Sequence, residues 1–195
     1  MSTGWRLRDI VLLAVLAVVF GFLYRLLVFA WGPLQIAMGP LGDLAQNVLI
    51  GGWMVVAPLA LYILRRPFAG IVAEMIAAFI EVVFLGSPIG PLLLLTGLVQ
   101  GVGAELAFAA TRYRSYGWPV FLCSGLLAAA FSFGYAAIRF GWWGQDLFAV
   151  RLGMHLASGL ILTGVLAKLI GDALARTGVL DEYPLGRARR RVGAG

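Results

Sequence analysis

Apolar residues in this chain come in long unbroken runs, not in alternation, and each run is about as long as a bilayer is thick. The first runs from about Asp9 to Ala30. A segment rich in turn formers (Gly32, Pro33, Gly39, Pro40, Gly42, Asp43) separates it from a second run, Leu44 to Leu64, that stops at Arg65-Arg66. Pro67 opens a third run that ends near Leu85. Pro91 opens a fourth that ends near Ala110, after the turn Gly86-Ser87-Pro88-Ile89-Gly90. Pro119 opens a fifth that ends near Gly141, and a sixth starts near Phe148 and ends between Lys168 and Arg176. Roughly 20 apolar residues carry a helix across a bilayer, so the pattern predicts an all-α bundle of six membrane-crossing helices over residues 1–176. Pro67, Pro91 and Pro119 fall where a first-turn proline is harmless, because that N–H has no helical partner. Pro58 lies inside the second run and predicts a kink there.

Composition strengthens this reading. Of 195 residues, 62% are hydrophobic and 12% charged, with a mean hydropathy of +0.95. A water-soluble domain of this size needs a wetted exterior that such a chain cannot supply. The run behind Arg6 and Arg8 is too long, and too similar to the five later runs, for a cleaved signal peptide, so it reads as a retained first helix. The net charge of +6 would raise nucleic acid as a partner for a soluble protein, but here the basic residues lie between apolar runs and read as topology signals. Twelve of the fifteen fall on one side: Arg6, Arg8, Arg65, Arg66, Arg112, Arg114, Lys168, Arg176, Arg187 and Arg189 to Arg191. Arg25, Arg139 and Arg151 fall on the other. The positive-inside rule therefore predicts both ends in the cytoplasm, with 177–195 a solvated basic tail without fixed structure.

Ionisable groups inside a membrane are costly and mark candidate sites. Glu74 and Glu81 share one face of the third helix, and Gln100 and Glu105 lie on the fourth. Counting about 1.5 Å per residue places Glu74 and Glu105 together in the inner half, where they could share a proton, and Glu81 in the outer half. At Glu81's depth come Asn47, Trp53, Tyr135 and His155, with Gln100 near the middle and Trp31, Trp142, Trp143 and Gln145 above. One carboxylate among aromatic rings and amides suits a flat, cationic, ring-shaped solute. Belt tryptophans and helix-bridging polar groups are the plainer readings of the same residues. Small residues form a second pattern. Ala14, Ala17 and Gly21 line one stripe of the first helix, a candidate contact with another subunit, and Ala157, Gly164 and Gly171 recur on the sixth.

Single Cys123 and single His155 offer neither a disulfide nor a multi-histidine metal site, and nothing in the chain calls for a cofactor. No P-loop, H-E-x-x-H or G-x-S-x-G occurs. The chain therefore does not hydrolyse ATP through a P-loop, and an enzyme acting on a lipid head group lacks a recognisable catalytic set. A self-sufficient secondary transporter, with Glu74 and Glu105 as a proton relay, remains open on these residues, as does a scaffold without ligand.

The order Pro58-Leu-Ala-Leu-Tyr62, Arg65-Arg-Pro67-x-Ala69-Gly70, Ala73-Glu74, Glu81-Val82, Gly86-x-Pro88 and Gln100-Gly-x-Gly-Ala-Glu105 resembles the YkoE-type substrate-binding subunits (S components) of energy-coupling-factor (ECF) transporters. The resemblance implies a six-helix cell-membrane subunit, not an enzyme, that captures thiamine or its hydroxymethylpyrimidine precursor from outside. It also implies a membrane-embedded coupling subunit and cytosolic ATPases as partners, with small residues of the first helix touching the coupling subunit.

Overall fold

The computed structural model describes residues 5–193, and side chains through residue 190. Helix α1 (Leu7–Met38) is longer than the first apolar run, because it continues through Gly32 and Pro33. A 3-10 turn (Gly39–Leu44), the short α2 (Ala45–Leu49), a second 3-10 stretch (Ile50–Met54) and α3 (Val56–Leu64) then form one broken rod. The break is where Pro58 requires it. Its missing N–H and its ring both act on the carbonyl four residues back, Met54, the last residue of the 3-10 stretch. All nine residues of α3 are buried. A helix apolar on every side belongs at the centre of the bundle.

Helix α4 (Ala69–Val83) starts two residues after Pro67, because Phe68 adopts a left-handed conformation (φ 65°) at its N-cap. Helix α5 (Leu92–Ala110) packs between α4 and α6 (Trp118–Arg139), and α1 lies on the other side of α4. The last rod is continuous: α7 (Phe148–Ser158), a π-helical stretch (Gly159–Val165) and α8 (Leu166–Arg176). The π stretch presses on α6 through glycines. A Cβ on Gly125 would lie 2.3 Å from the Gly159 carbonyl oxygen, so only glycine permits this approach.

Among the described residues, four helical stretches are long and apolar enough to cross a membrane: Leu7–Leu64, Leu92–Ala110, Trp118–Arg139 and Phe148–Arg176. Their outward faces carry Val15, Val19, Phe22, Leu26 and Phe29 of α1 and Leu95 and Leu98 of α5. So wide an apolar exterior requires an apolar solvent.

The tail departs from the sequence expectation. Residues after Arg176 turn back, and α9 (Pro184–Gly193) packs under α3 and α8. Leu180 and Leu185 are each 3% exposed, and the Tyr183 hydroxyl donates to the Arg8 carbonyl at 3.3 Å. The two leucines supply the apolar anchor that the basic composition conceals. Of the tail arginines, the Arg191 side chain lies outside the described residues.

Candidate functional site

A cavity opens between α1, the broken second rod, α4 and α5. It offers about 50 Å³ to water centres, within about 560 Å³ of space between atoms that takes in its mouth. Tyr24 and Trp31 of α1 and Trp53 of the 3-10 stretch give it aromatic walls, and Gln46, Thr96 and Gln100 give it neutral polar groups. Glu74 and Glu81, one above the other on α4, supply two carboxylates. Both are 1% exposed, and Gln100 is 3%.

The polar groups differ in what already holds them. Glu74 accepts a hydrogen bond from the Tyr24 hydroxyl at 3.3 Å, and that hydroxyl accepts from the Val56 N–H at 3.4 Å. Gln100 donates to the Ser132 hydroxyl at 3.2 Å. Glu81 accepts from the Ser87 hydroxyl through Oε1 at 3.3 Å. Glu81 Oε2 and the indole Nε1–H of Trp31 are buried with no hydrogen-bond partner among the described residues. One acceptor and one donor therefore stand open on the lining of a single cavity. A buried polar atom left unpaired costs about 1–3 kcal/mol, which a ligand that pairs it would relieve.

Of the residues grouped by depth along the sequence, Glu81, Trp53 and Gln100 come together here, with Trp31. Asn47, Tyr135, His155 and Trp142 do not line the cavity. Asn47 and His155 face each other instead, Oδ1 to Nδ1 at 3.0 Å, and join α2 to α7. One turn earlier Arg151 pairs with Asp43 in the same way and lies over the Trp142 ring at 4.5 Å. Tyr135 is half-buried on α6. Sequence reasoning missed Tyr24 and Gln46, and it placed Glu74 elsewhere. Tyr24 had a signal: it extends the stripe of Ala17 and Gly21 by one turn. That stripe packs inside the chain. Ala17 is buried, and a Cβ on Gly21 would meet the Ile80 side chain at 2.9 Å, so of the three small residues only Ala14 faces outward.

Glu74 and Glu105 do not share a proton. Glu105 accepts from the backbone N–H groups of Phe68 and Ile71 (the latter at 3.1 Å) and from the Tyr113 hydroxyl at 2.9 Å. It caps the first turn of α4 from a neighbouring helix, where the orphan N–H groups favour an anion. Burial and the adjacent carboxylate hold the Tyr113 phenol above its usual range, so it remains a donor.

The model of a family of ABC-type cobalt transport permease components matches residues 8–131. YkoE of Bacillus subtilis (strain 168), a protein provisionally named as an HMP/thiamine permease, is 37% identical, with 96% of this chain and 94% of YkoE covered. A crystal structure of an S component of an ECF transporter superposes with a TM-score of 0.90 at 35% identity, covering 98% of this chain and 96% of that one. The chain belongs to the YkoE-type S components. It is thus a multi-pass membrane transport subunit, not an enzyme. For an S component the cavity has a fitting composition: an apolar, aromatic cleft with few polar groups, two of them unpaired.

Proposed function

We propose that the chain is the vitamin-capturing subunit of an ECF uptake system and that its cargo is hydroxymethylpyrimidine or thiamine. The observation that carries this reading is the pair of open groups, Glu81 Oε2 and Trp31 Nε1–H, on one aromatic-walled cavity. A protonated or amino-bearing nitrogen heterocycle donates to the carboxylate and accepts from the indole, while Trp53 and Tyr24 cover its faces. The relative YkoE, named for HMP and thiamine, agrees with this chemistry. Cobalt, which the family description names, fits less well. The lining contains no histidine or cysteine, and no group of three or more metal-ligating side chains occurs among the described residues.

In the same reading the six rods each cross the bilayer, with both ends on the cytoplasmic side. The twelve-to-three distribution of basic residues supports that orientation, and α4, only 15 residues long, reaches across with its flanking turns. Cargo then enters from the outer side. A coupling subunit and cytosolic ATPases supply the energy, since the chain has no nucleotide-binding loop of its own. The test is mass spectrometry of small molecules released on denaturing the detergent-purified protein, with metal analysis of the same sample. Hydroxymethylpyrimidine or thiamine is expected. Stoichiometric cobalt without a heterocycle would refute the reading.

A further inference from the structure

A second recess lies at the opposite end of the bundle from the cavity, where α3 and α8 end and α9 folds beneath them. It offers about 370 Å³ to water centres. Three guanidinium groups line it, from Arg65, Arg176 and Arg189. Asp172 is the one carboxylate on its wall, and it is already neutralised: Lys168 donates to its two oxygens at 2.6 and 2.5 Å, and the Tyr62 hydroxyl donates at 2.7 Å. The recess therefore keeps close to three unbalanced positive charges. Neighbouring arginines behave differently. Arg66 pairs with Asp9 at 3.3 Å, Arg8 with Glu182 at 3.7 Å, and Arg190 with Asp181 at 3.2 Å.

Arg65 is the built part of the recess. It ends α3 in the left-handed region (φ 50°), a conformation that costs a non-glycine residue on the order of 1 kcal/mol. This turn sends Arg65 over the Tyr116 ring, 4.6 Å from its centroid, and away from the Asp9 cluster that Arg66 serves. There its Nε–H is buried without a hydrogen-bond partner among the described residues, and so is the Tyr116 hydroxyl beneath it. Burial pushes that phenol up to about 12, so it stays protonated and able to donate. Leu185 and Ala175 make the rest of the wall apolar. Strained backbone, an oriented guanidinium and uncompensated charge at the edge of an apolar bundle suit an anion with several acceptor oxygens and an apolar attachment.

The geometry points to a phosphate-binding site formed by Arg65, Arg176 and Arg189, which takes the phosphodiester of an anionic phospholipid headgroup or a free phosphate anion. Planar guanidinium forks match phosphate oxygens in pairs. The site is independent of the vitamin reading, because it shares no residue with the outer cavity.

The test uses the full chain, delipidated in neutral detergent, and native mass spectrometry with added phosphatidylglycerol or phosphatidylcholine. Phosphatidylglycerol should bind at least tenfold more tightly. Arg176→Gln with Arg189→Gln should remove about fivefold per charge. Arg65→Gln should remove at least as much, while Arg65→Lys, which keeps charge but not the fork, should recover only part. Arg112→Gln with Arg114→Gln, on the same end but outside the recess, should leave the preference intact. A parallel titration with inorganic phosphate separates the sources. Competition by millimolar phosphate in the wild type, absent from the Arg65→Gln variant, assigns the site to free anion as well as lipid, and lipid preference without competition assigns it to the headgroup. Equal binding of the two lipids with no phosphate binding would overturn the proposal. So would a preference that the Arg112/Arg114 variant loses as fully as the recess variants do.

Discussion

Replacing Glu105 by glutamine separates two roles for a buried carboxylate. The geometry makes Glu105 a cap. It receives three donors, the N–H groups of Phe68 and Ile71 and the hydroxyl of Tyr113. Glutamine has one acceptor oxygen where glutamate has two. If that oxygen keeps Phe68 and Tyr113, the new amide N–H₂ confronts the Ile71 N–H, and one buried donor is orphaned at about 1–3 kcal/mol. The two remaining bonds lose their charge assistance, roughly half their strength. The negative charge at the start of α4 also disappears, at about 0.3–1 kcal/mol. The sum is on the order of 3 kcal/mol of destabilisation. Tyr113→Phe, which removes one donor of the three, should cost about 1 kcal/mol and lose most of its effect in the Glu105→Gln background. The assay is unfolding in mixed detergent micelles followed by tryptophan fluorescence, together with uptake by proteoliposomes of the assembled transporter across a range of pH. Unchanged stability with loss of the pH dependence of uptake would refute the cap and restore a proton relay.

Gly125→Ala should markedly lower the temperature at which the solubilised protein stays monodisperse, because the added carbon would meet the Gly159 carbonyl oxygen at 2.3 Å and the Gly164 nitrogen at 2.8 Å. Gly134→Ala, on the same helix with open space around it, should be neutral or up to about 1 kcal/mol stabilising. In a Cys123→Ala background, an impermeant thiol reagent on whole cells should label Gln145→Cys and not Ser115→Cys, both exposed positions, and the reverse would invert the topology. Ultraviolet titration of the folded protein should show Tyr116 ionising near pH 12. The unfolded chain releases that proton near pH 10, so stability should fall as pH rises between the two, and Tyr116→Phe should lessen the fall.

The apolar runs made the rods legible because a bilayer demands length and hydrophobicity and little else. Depth was legible in part: counting residues along the second, third and fourth runs brought Trp53 to the level of Glu81, with Gln100 nearer the middle, and all three line one cavity. Rotation about each helix axis was not. Gln46 lines the cavity, while its neighbour Asn47, about 100° further round the helix, faces His155 on α7. Depth alone paired Glu74 with Glu105, yet the first turns toward Tyr24 and the second toward the backbone of the next helix. In a lipid-soluble chain both faces of a helix are apolar, so the contrast that orients a helix in a soluble protein is weak. The tail shows the reverse error. Its arginines suggested a solvated segment, and Leu180 and Leu185, too few to register in composition, fix it to the bundle.

Calorimetric titration of hydroxymethylpyrimidine into the wild-type protein and into Glu81→Gln tests the central claim most directly. Glutamine keeps the size of the side chain and one acceptor but removes the charge. A buried contact of this kind contributes about 1.5–3 kcal/mol, so affinity should fall on the order of tenfold to a hundredfold. Trp31→Phe, which keeps an aromatic face and removes the open N–H, should weaken binding by a smaller factor. Wild-type affinity in both variants, with the solute still bound by a folded protein, would contradict the account and place the cargo outside this cavity.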